Sequence, residues 1–357
     1  MPQGEYLQFG GMAVVEGVMM RSPNYWAVAC RAPNGKIIVF SEHLEKTWIG
    51  RQQWLKKPFL RGTLAMLDTM ALGMKAMRIA SDVQVEPLYQ KPEDIESGKA
   101  EKPPSKAAVT LTIGLAIVVS LAVGFAIFNA APQFLAEYLV RAFSGEPASK
   151  GNTHLTVTNY LAEVIKMIFF IGYLSLIGLM PAIRDVFRYH GAEHKAINAM
   201  EDGAELNTQA CQAQTRLHPR CGTNFAIIVI VVSFLLFPLI PRDLFVPGTS
   251  PGWLIALTRL PVELLCMPIV AGISYEVIRA AGKAKNQAWV KILLAPGLAT
   301  QLITTAEPRD EHSDVGIAAL QAVVKAEESG ELTNTADPNA KHPTPAKPGE
   351  SVEDVIA

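Results

Sequence analysis

The sequence predicts an α-helical polytopic membrane protein, about four transmembrane helices with a small N-terminal mixed α/β unit. Three observations carry this. Half of the 357 residues are apolar and only 18% are charged, against roughly 25% in soluble domains. The apolar residues gather into four blocks near the length a bilayer requires. Basic residues concentrate in alternate connections between the blocks.

Residues 1–82 read as the N-terminal unit. The run Gly10–Arg21 is rich in glycine and apolar residues, consistent with a strand and a tight backbone bend. Trp26–Arg31 and Lys36–Glu42 flank Ala-Pro-Asn-Gly, which reads as a hairpin turn. Leu60, Leu64, Leu67, Ala71 and Met74 recur at helical spacing. That helix either lies on the membrane surface or, the preferred reading, packs against the spans. Met1–Met20 lacks a basic start and an apolar core, so no cleavable signal peptide is expected. Residues 83–106 form a polar, Pro- and Lys-containing linker.

A four-span membrane domain follows over residues 107–280. The first candidate span, Ala107–Ala131, is uncharged throughout; about 20 apolar residues suffice for a hydrocarbon core of about 30 Å. Tyr160–Leu179 is the second, with Glu163 and Lys166 near its start. Phe225–Ile240 is the third, short and carrying Pro238. Trp253–Tyr275 is the fourth and contains Arg259 and Glu263, four apart and able to pair on one helix face. The preferred reading puts that pair near the interface, with Arg259 snorkelling to headgroups.

The connection 181–222 holds Arg184, Arg188, Lys195, Arg216 and Arg220, whereas 132–155 and 241–252 hold only Arg141, Lys150 and Arg242. The positive-inside rule makes 181–222 cytoplasmic, and with it both termini. Residues 281–326 read as C-terminal cytoplasmic helices: an amphipathic one at Ala288–Thr305, broken by Pro296-Gly297, and a short one at about 314–326. From about residue 327 to 357 the chain is polar, Pro-rich and aperiodic, and is expected to be disordered.

A formal net charge of −1 points away from a nucleic-acid partner. Cys30, Cys211, Cys221 and Cys266 form no CxxC pair or regular framework, which fits free thiols or one metal-ligating thiolate. Gly10–Arg21 has neither GxxxxGK[ST] nor GxGxxG spacing, which disfavours nucleotide binding. Glu16 and Arg21, charged within that apolar run, either pair or face a pocket.

The chemistry concentrates in the His-rich connection. His190 and His194 stand one helical turn apart, with Glu193 beside them, in an H-x-x-E-H pattern. Two imidazoles at this spacing can share one divalent ion, zinc being the first candidate. His218 and Cys221, three apart in His-Pro-Arg-Cys-Gly, are further donors, as are Glu276 at the end of the fourth span and Glu201. Ligation by His190, His194, His218 and Cys221 gives a closed, structural site. Ligation by two histidines and one of Glu276 or Glu201 leaves room for water, with Glu193 as the catalytic base, the arrangement of a hydrolase. The alternative is a polar juxtamembrane network that binds no metal.

Gly10–Pro23, Pro58–Gly62, Tyr189–Lys195, His218–Phe225, Gly272–Glu276 and Pro296–Pro308 together resemble the YqhQ-like bacterial membrane protein family, over about residues 7–325. The resemblance implies a multi-pass protein of the bacterial cytoplasmic (inner) membrane, and a predicted metal-dependent enzyme without an established substrate. Three functions remain open. The first is a metalloprotein of the cytoplasmic face, a candidate hydrolase. The second is a non-enzymatic scaffold or assembly factor that holds a protein partner or a second copy of itself. The third and last-ranked is a transporter, which no inverted repeat supports. In each, the lipid bilayer is the principal partner.

Overall fold

Four short strands open the fold as an antiparallel meander: β1 (Gly10–Val14), β2 (Gly17–Arg21), β3 (Tyr25–Arg31) and β4 (Ile37–His43), in that spatial order. The structure, a computed structural model, describes residues 9–44, 61–91, 115, 118–145, 152–241, 244–247, 250, 252–283 and 287–336. Gly10–Arg21 is therefore two strands joined at Val15-Glu16, and Glu16 takes a positive φ of 48° there. Gly17 follows because β3 crosses so closely that a Cβ would meet the Ala29 carbonyl.

Successive strand residues point to opposite faces, and here both faces are covered. Val18, Met20, Ala27 and Ala29 pack with Ile197, Val315, Leu320 and Val323. Met19, Trp26, Val28 and Phe40 pack with Leu72, Ala76, Ile79 and Val83. A doubly covered sheet needs apolar residues at every position, hence the runs Gly17–Met20 and Trp26–Cys30. Burying each large side chain stabilises by about 1.5–3 kcal/mol.

The second cover is α1 (Arg61–Val85). It meets the sheet through Leu72, Ala76, Ile79 and Val83, while Leu67, Ala71 and Met74 of the expected apolar stripe are exposed. The buried face is offset from the predicted one because α1 has two neighbours. Its start packs on the fourth span, where the Thr63 hydroxyl donates to the Pro268 carbonyl, 3.0 Å away. Gly62 lies so close to Ala271 and Tyr275 that a Cβ would not fit.

Among the described residues, four helices are long and apolar enough to cross a membrane. They are α2 (Val118–Ser144), α3 (Asn152–Ile177, apolar from Val157), α6 (Gly222–Leu236, extended by a 3-10 turn to Leu239) and α7 (Gly252–Lys283). The first part of the first predicted span, 107–117 apart from Leu115, lies outside the described residues, and α2 runs on past Ala131. Arg259 does not snorkel. It is 1% exposed, donates to the Phe237 carbonyl at 2.8 Å and the Asn159 side chain at 3.3 Å, and lies 3.7 Å from Glu263. A guanidinium inside an apolar bundle keeps its charge only with such partners.

Between the second and third spans the chain is mostly helical: α4 (Pro181–Glu201) and the short α5 (Thr208–Gln212). After α7 come α8 (Ala288–Thr304) and α9 (Asp310–Ser329). Pro296 does not break α8, which continues through it, and Gly297 gives room for the Asn224 side chain of α6. The predicted short helix is α9, 20 residues long and central to the core. The expected disorder from residue 327 does not hold at its start. Ser329 is still helical, and the next residues lie along β4, with Ser41 N–H donating to Thr333 and Thr335 N–H to Val39, each at 2.9 Å. An edge strand offers unpaired backbone groups, and this segment satisfies them. Residues 337–357 lie outside the described residues, as do 92–106 of the expected linker.

Candidate metal centre

The site forms where α4, the turn before α6 and the end of α8 meet. α4 is built for close approach: Gly191, Ala192, Ala196 and Ala199 are buried along it. At Gly191 a Cβ would overlap the Ala306 carbonyl, and Gly316 of α9 lies against the Ala192 backbone. β1 crosses α4 at Gly11, where a Cβ would meet the Glu193 carboxyl group.

His190 and His194 project together, their ring centroids 4.5 Å apart. Nδ1 of His190 lies 2.9 Å from the Thr304 carbonyl, and Nδ1 of His194 lies 2.6 Å from the Arg216 carbonyl. A carbonyl only accepts, so each Nδ1 carries a proton, and in the neutral ring the acceptor is Nε2. Metal-binding histidines are commonly held by this outer contact.

Nε2 of His190 lies 3.2 Å from Cys221 Sγ. Donors at tetrahedral zinc distances stand about 3.5 Å apart. The ligand atoms of His190, His194 and Cys221 all fall within 4.8 Å of one another. Three donors that close together are within reach of one metal ion.

Cys221 caps α6, and its sulfur accepts from the Thr223 N–H at 3.4 Å and hydroxyl at 3.1 Å. The turn that presents it is fixed through Gln301 of α8. Its side chain accepts from the His218 N–H and donates to the His218 carbonyl, both at 2.9 Å. Asn224 donates to the Pro219 carbonyl at 2.6 Å.

Buried polar atoms nearly always find partners. Among the described residues seven such side-chain atoms lack one, and Glu193 Oε2, His194 Nε2 and His218 Nε2 are three of them, all at this site. The His218 ring lies 5.7 Å from that of His194. Burial lowers the pKa of both imidazoles, against Cys221 and the Arg216 carbonyl for His194 and against Glu193 for His218. Burial thus favours the neutral form of both rings, the form that binds metal. Burial pushes the Glu193 carboxyl up, only partly offset by His190, His218 and the Gly11 N–H.

Of the residues singled out in the sequence, His190, His194 and Cys221 come together, with His218 and Glu193 beside them. Glu276, on α7, is outside that group. Glu201 pairs with Arg220 and stands 3.7 Å from His218 Nε2. Glu16 and Arg21 do not pair with each other. The Tyr189 hydroxyl donates to Glu16 at 3.1 Å, and Arg21 reaches Thr69 at 3.4 Å. Sequence reasoning missed His312, which stacks on Tyr189 at 4.6 Å and meets Asp185 at 3.2 Å. It also missed Gln301, Thr304 and the Lys195–Glu307 pair. Thr304 and Arg216 act through backbone carbonyls, which no side-chain pattern reveals.

Fold and site together define a helical membrane protein with a layer of sheet and helices at one end of the bundle, and a His–His–Cys cluster in that layer. Residues 57–326 match the family described as "Protein of unknown function (DUF1385)", and the chain belongs to that family. It is 33% identical over 323 residues to "Uncharacterized protein YqhQ" of Bacillus subtilis (strain 168), covering 89% of this chain and 93% of that protein. No solved structure matches.

Proposed function

We propose that this protein is a membrane metallohydrolase of the bacterial cytoplasmic membrane, with its site on the cytoplasmic face. The observation that carries the reading is the pair of carbonyl-held Nδ1 atoms, which leaves the His190 Nε2 against Cys221 and the His194 Nε2 without a partner in the same cluster. His190, His194 and Cys221 would hold a divalent ion such as zinc. When bound, the ion supplies Lewis acidity toward an oxygen of the substrate or of water.

The chain's own residues supply the rest. Glu193, one residue from His194, has a buried oxygen with no partner and is the group to take a proton from an attacking water. Gly11 keeps room for that carboxyl, and its N–H holds it in place. Thr223 stabilises the sulfur, while Thr304 and Arg216 fix the imidazoles.

Cobalt substitution of the purified protein tests this. We expect a thiolate-to-cobalt charge-transfer band that disappears in Cys221→Ser. Glu193→Gln should keep the band but fail to restore function to a strain lacking the gene. A spectrum unchanged in Cys221→Ser would contradict the reading.

One observation favours a second reading, a structural metal in a membrane scaffold. The buried Nε2 of His218 has no hydrogen-bond partner, and its ring lies 5.7 Å from that of His194, which makes it the candidate fourth donor of a closed site. Chelation then separates the two: a closed structural site loses its fold, whereas a catalytic one loses function with the fold intact.

A further inference from the structure

The segment whose Thr304 carbonyl holds His190 also walls a cavity of about 340 Å³. Arg184 and Phe187 of α4, Arg216, Leu302 and Ile303 of α8, and Glu307 line it. Gly178, directly after the span that ends at Ile177, lies at its edge. The cavity therefore sits where the bundle leaves the apolar layer.

Its charge is unbalanced. Arg216 is committed to Glu307, 3.8 Å away, and to the Thr305 carbonyl. The guanidinium of Arg184 has no partner among the described residues. Arg184 stands in the first turn of α4, a turn without an acidic residue and without a side-chain cap at Met180. A free guanidinium in a cavity beside a helix start suits a phosphate group, which it can grip with two parallel bonds.

The apolar half of the lining decides what carries that phosphate. Phe187, Leu302 and Ile303 face the same space as the arginines, and Leu179, Met180 and Leu302 are 76%, 54% and 56% exposed at this level. A free anion has no use for such a surface, whereas a phospholipid has both a phosphate and an acyl-glycerol body. We propose that this cavity binds the phosphate head group of an anionic phospholipid, independently of any metal at the neighbouring cluster.

Native mass spectrometry of the delipidated full chain tests this, with phosphatidylglycerol, phosphatidylcholine or inorganic phosphate as the probe. We expect phosphatidylglycerol to bind about tenfold more tightly than phosphatidylcholine. Arg184→Gln should abolish that preference and Lys325→Gln, an exposed site on α9, should leave it. Cys221→Ser should also leave it, which separates failure here from failure of the metal reading. Equal binding by wild type and Arg184→Gln would overturn the site. Displacement of the lipid by millimolar inorganic phosphate, with no preference for lipid, would overturn the lipid source.

Discussion

Gly191 shows how a single residue positions the cluster. It lies one residue from His190 and lets the Ala306 backbone close onto α4, beside the Thr304 carbonyl that orients the ring. Gly191→Ala should cost about 1–3 kcal/mol, the usual range for overpacking against a backbone that cannot yield. A thermal melt in detergent would show the loss, and an unchanged melting temperature would contradict it. Asp185 supports the same helix from its outer side. Burial alone would raise its pKa, but hydrogen bonds from Arg188 and His312 outweigh that and hold it below the ordinary carboxylate value. Its stabilisation is therefore present above the unfolded value of about 3.9 and lost as pH falls through the lower folded value. Asp185→Asn should melt lower than wild type at pH 7, and the gap should shrink below about pH 4. The spacing of His190 and His194 was legible in the sequence because helical periodicity alone puts them on one face. Their carbonyl acceptors were not, since Thr304 and Arg216 reach the site only through the folded chain.

Helices betray their apolar faces better than their neighbours. The number of candidate spans could be read from block length, whereas the buried face of α1 could not. Its burial is shared between the sheet and α7, and no periodicity within α1 encodes that division. Pro296 misled because a proline in a helix interior usually disrupts it, yet Leu293 and Leu294 before it pack on the cluster of Ile228 and Val232, and Gly297 after it lies against Asn224. Arg259 misled for a related reason: its acceptors, Phe237 and Asn159, come from two other spans. Removing one partner of such a buried pair is costly, about 3–5 kcal/mol. Arg259→Met should destabilise the detergent-solubilised protein by that order. Arg259→Met/Glu263→Gln should recover part of the loss, and a double variant as unstable as the single would count against the pairing.

At the scale of the molecule, the N-terminal sheet and the C-terminal α9 share one core. That contact alone puts both on one side of the four-helix bundle, in agreement with an even number of spans. Single cysteines at Lys36 and Ser329 should react with an impermeant maleimide from the same side, and one at Ser144 from the other. We propose, from the positive-inside pattern of the sequence, that the shared side is the cytoplasmic one. Labelling of Lys36→Cys and Ser329→Cys from opposite sides would break this arrangement.

The metal content of the purified protein tests the central claim most directly. Elemental analysis after purification without chelator is expected to find close to one zinc or similar divalent ion per wild-type chain, and a small fraction of that in His194→Ala and Cys221→Ser. Equal, substoichiometric metal in all three would contradict it and leave only a polar cluster at the foot of a membrane bundle.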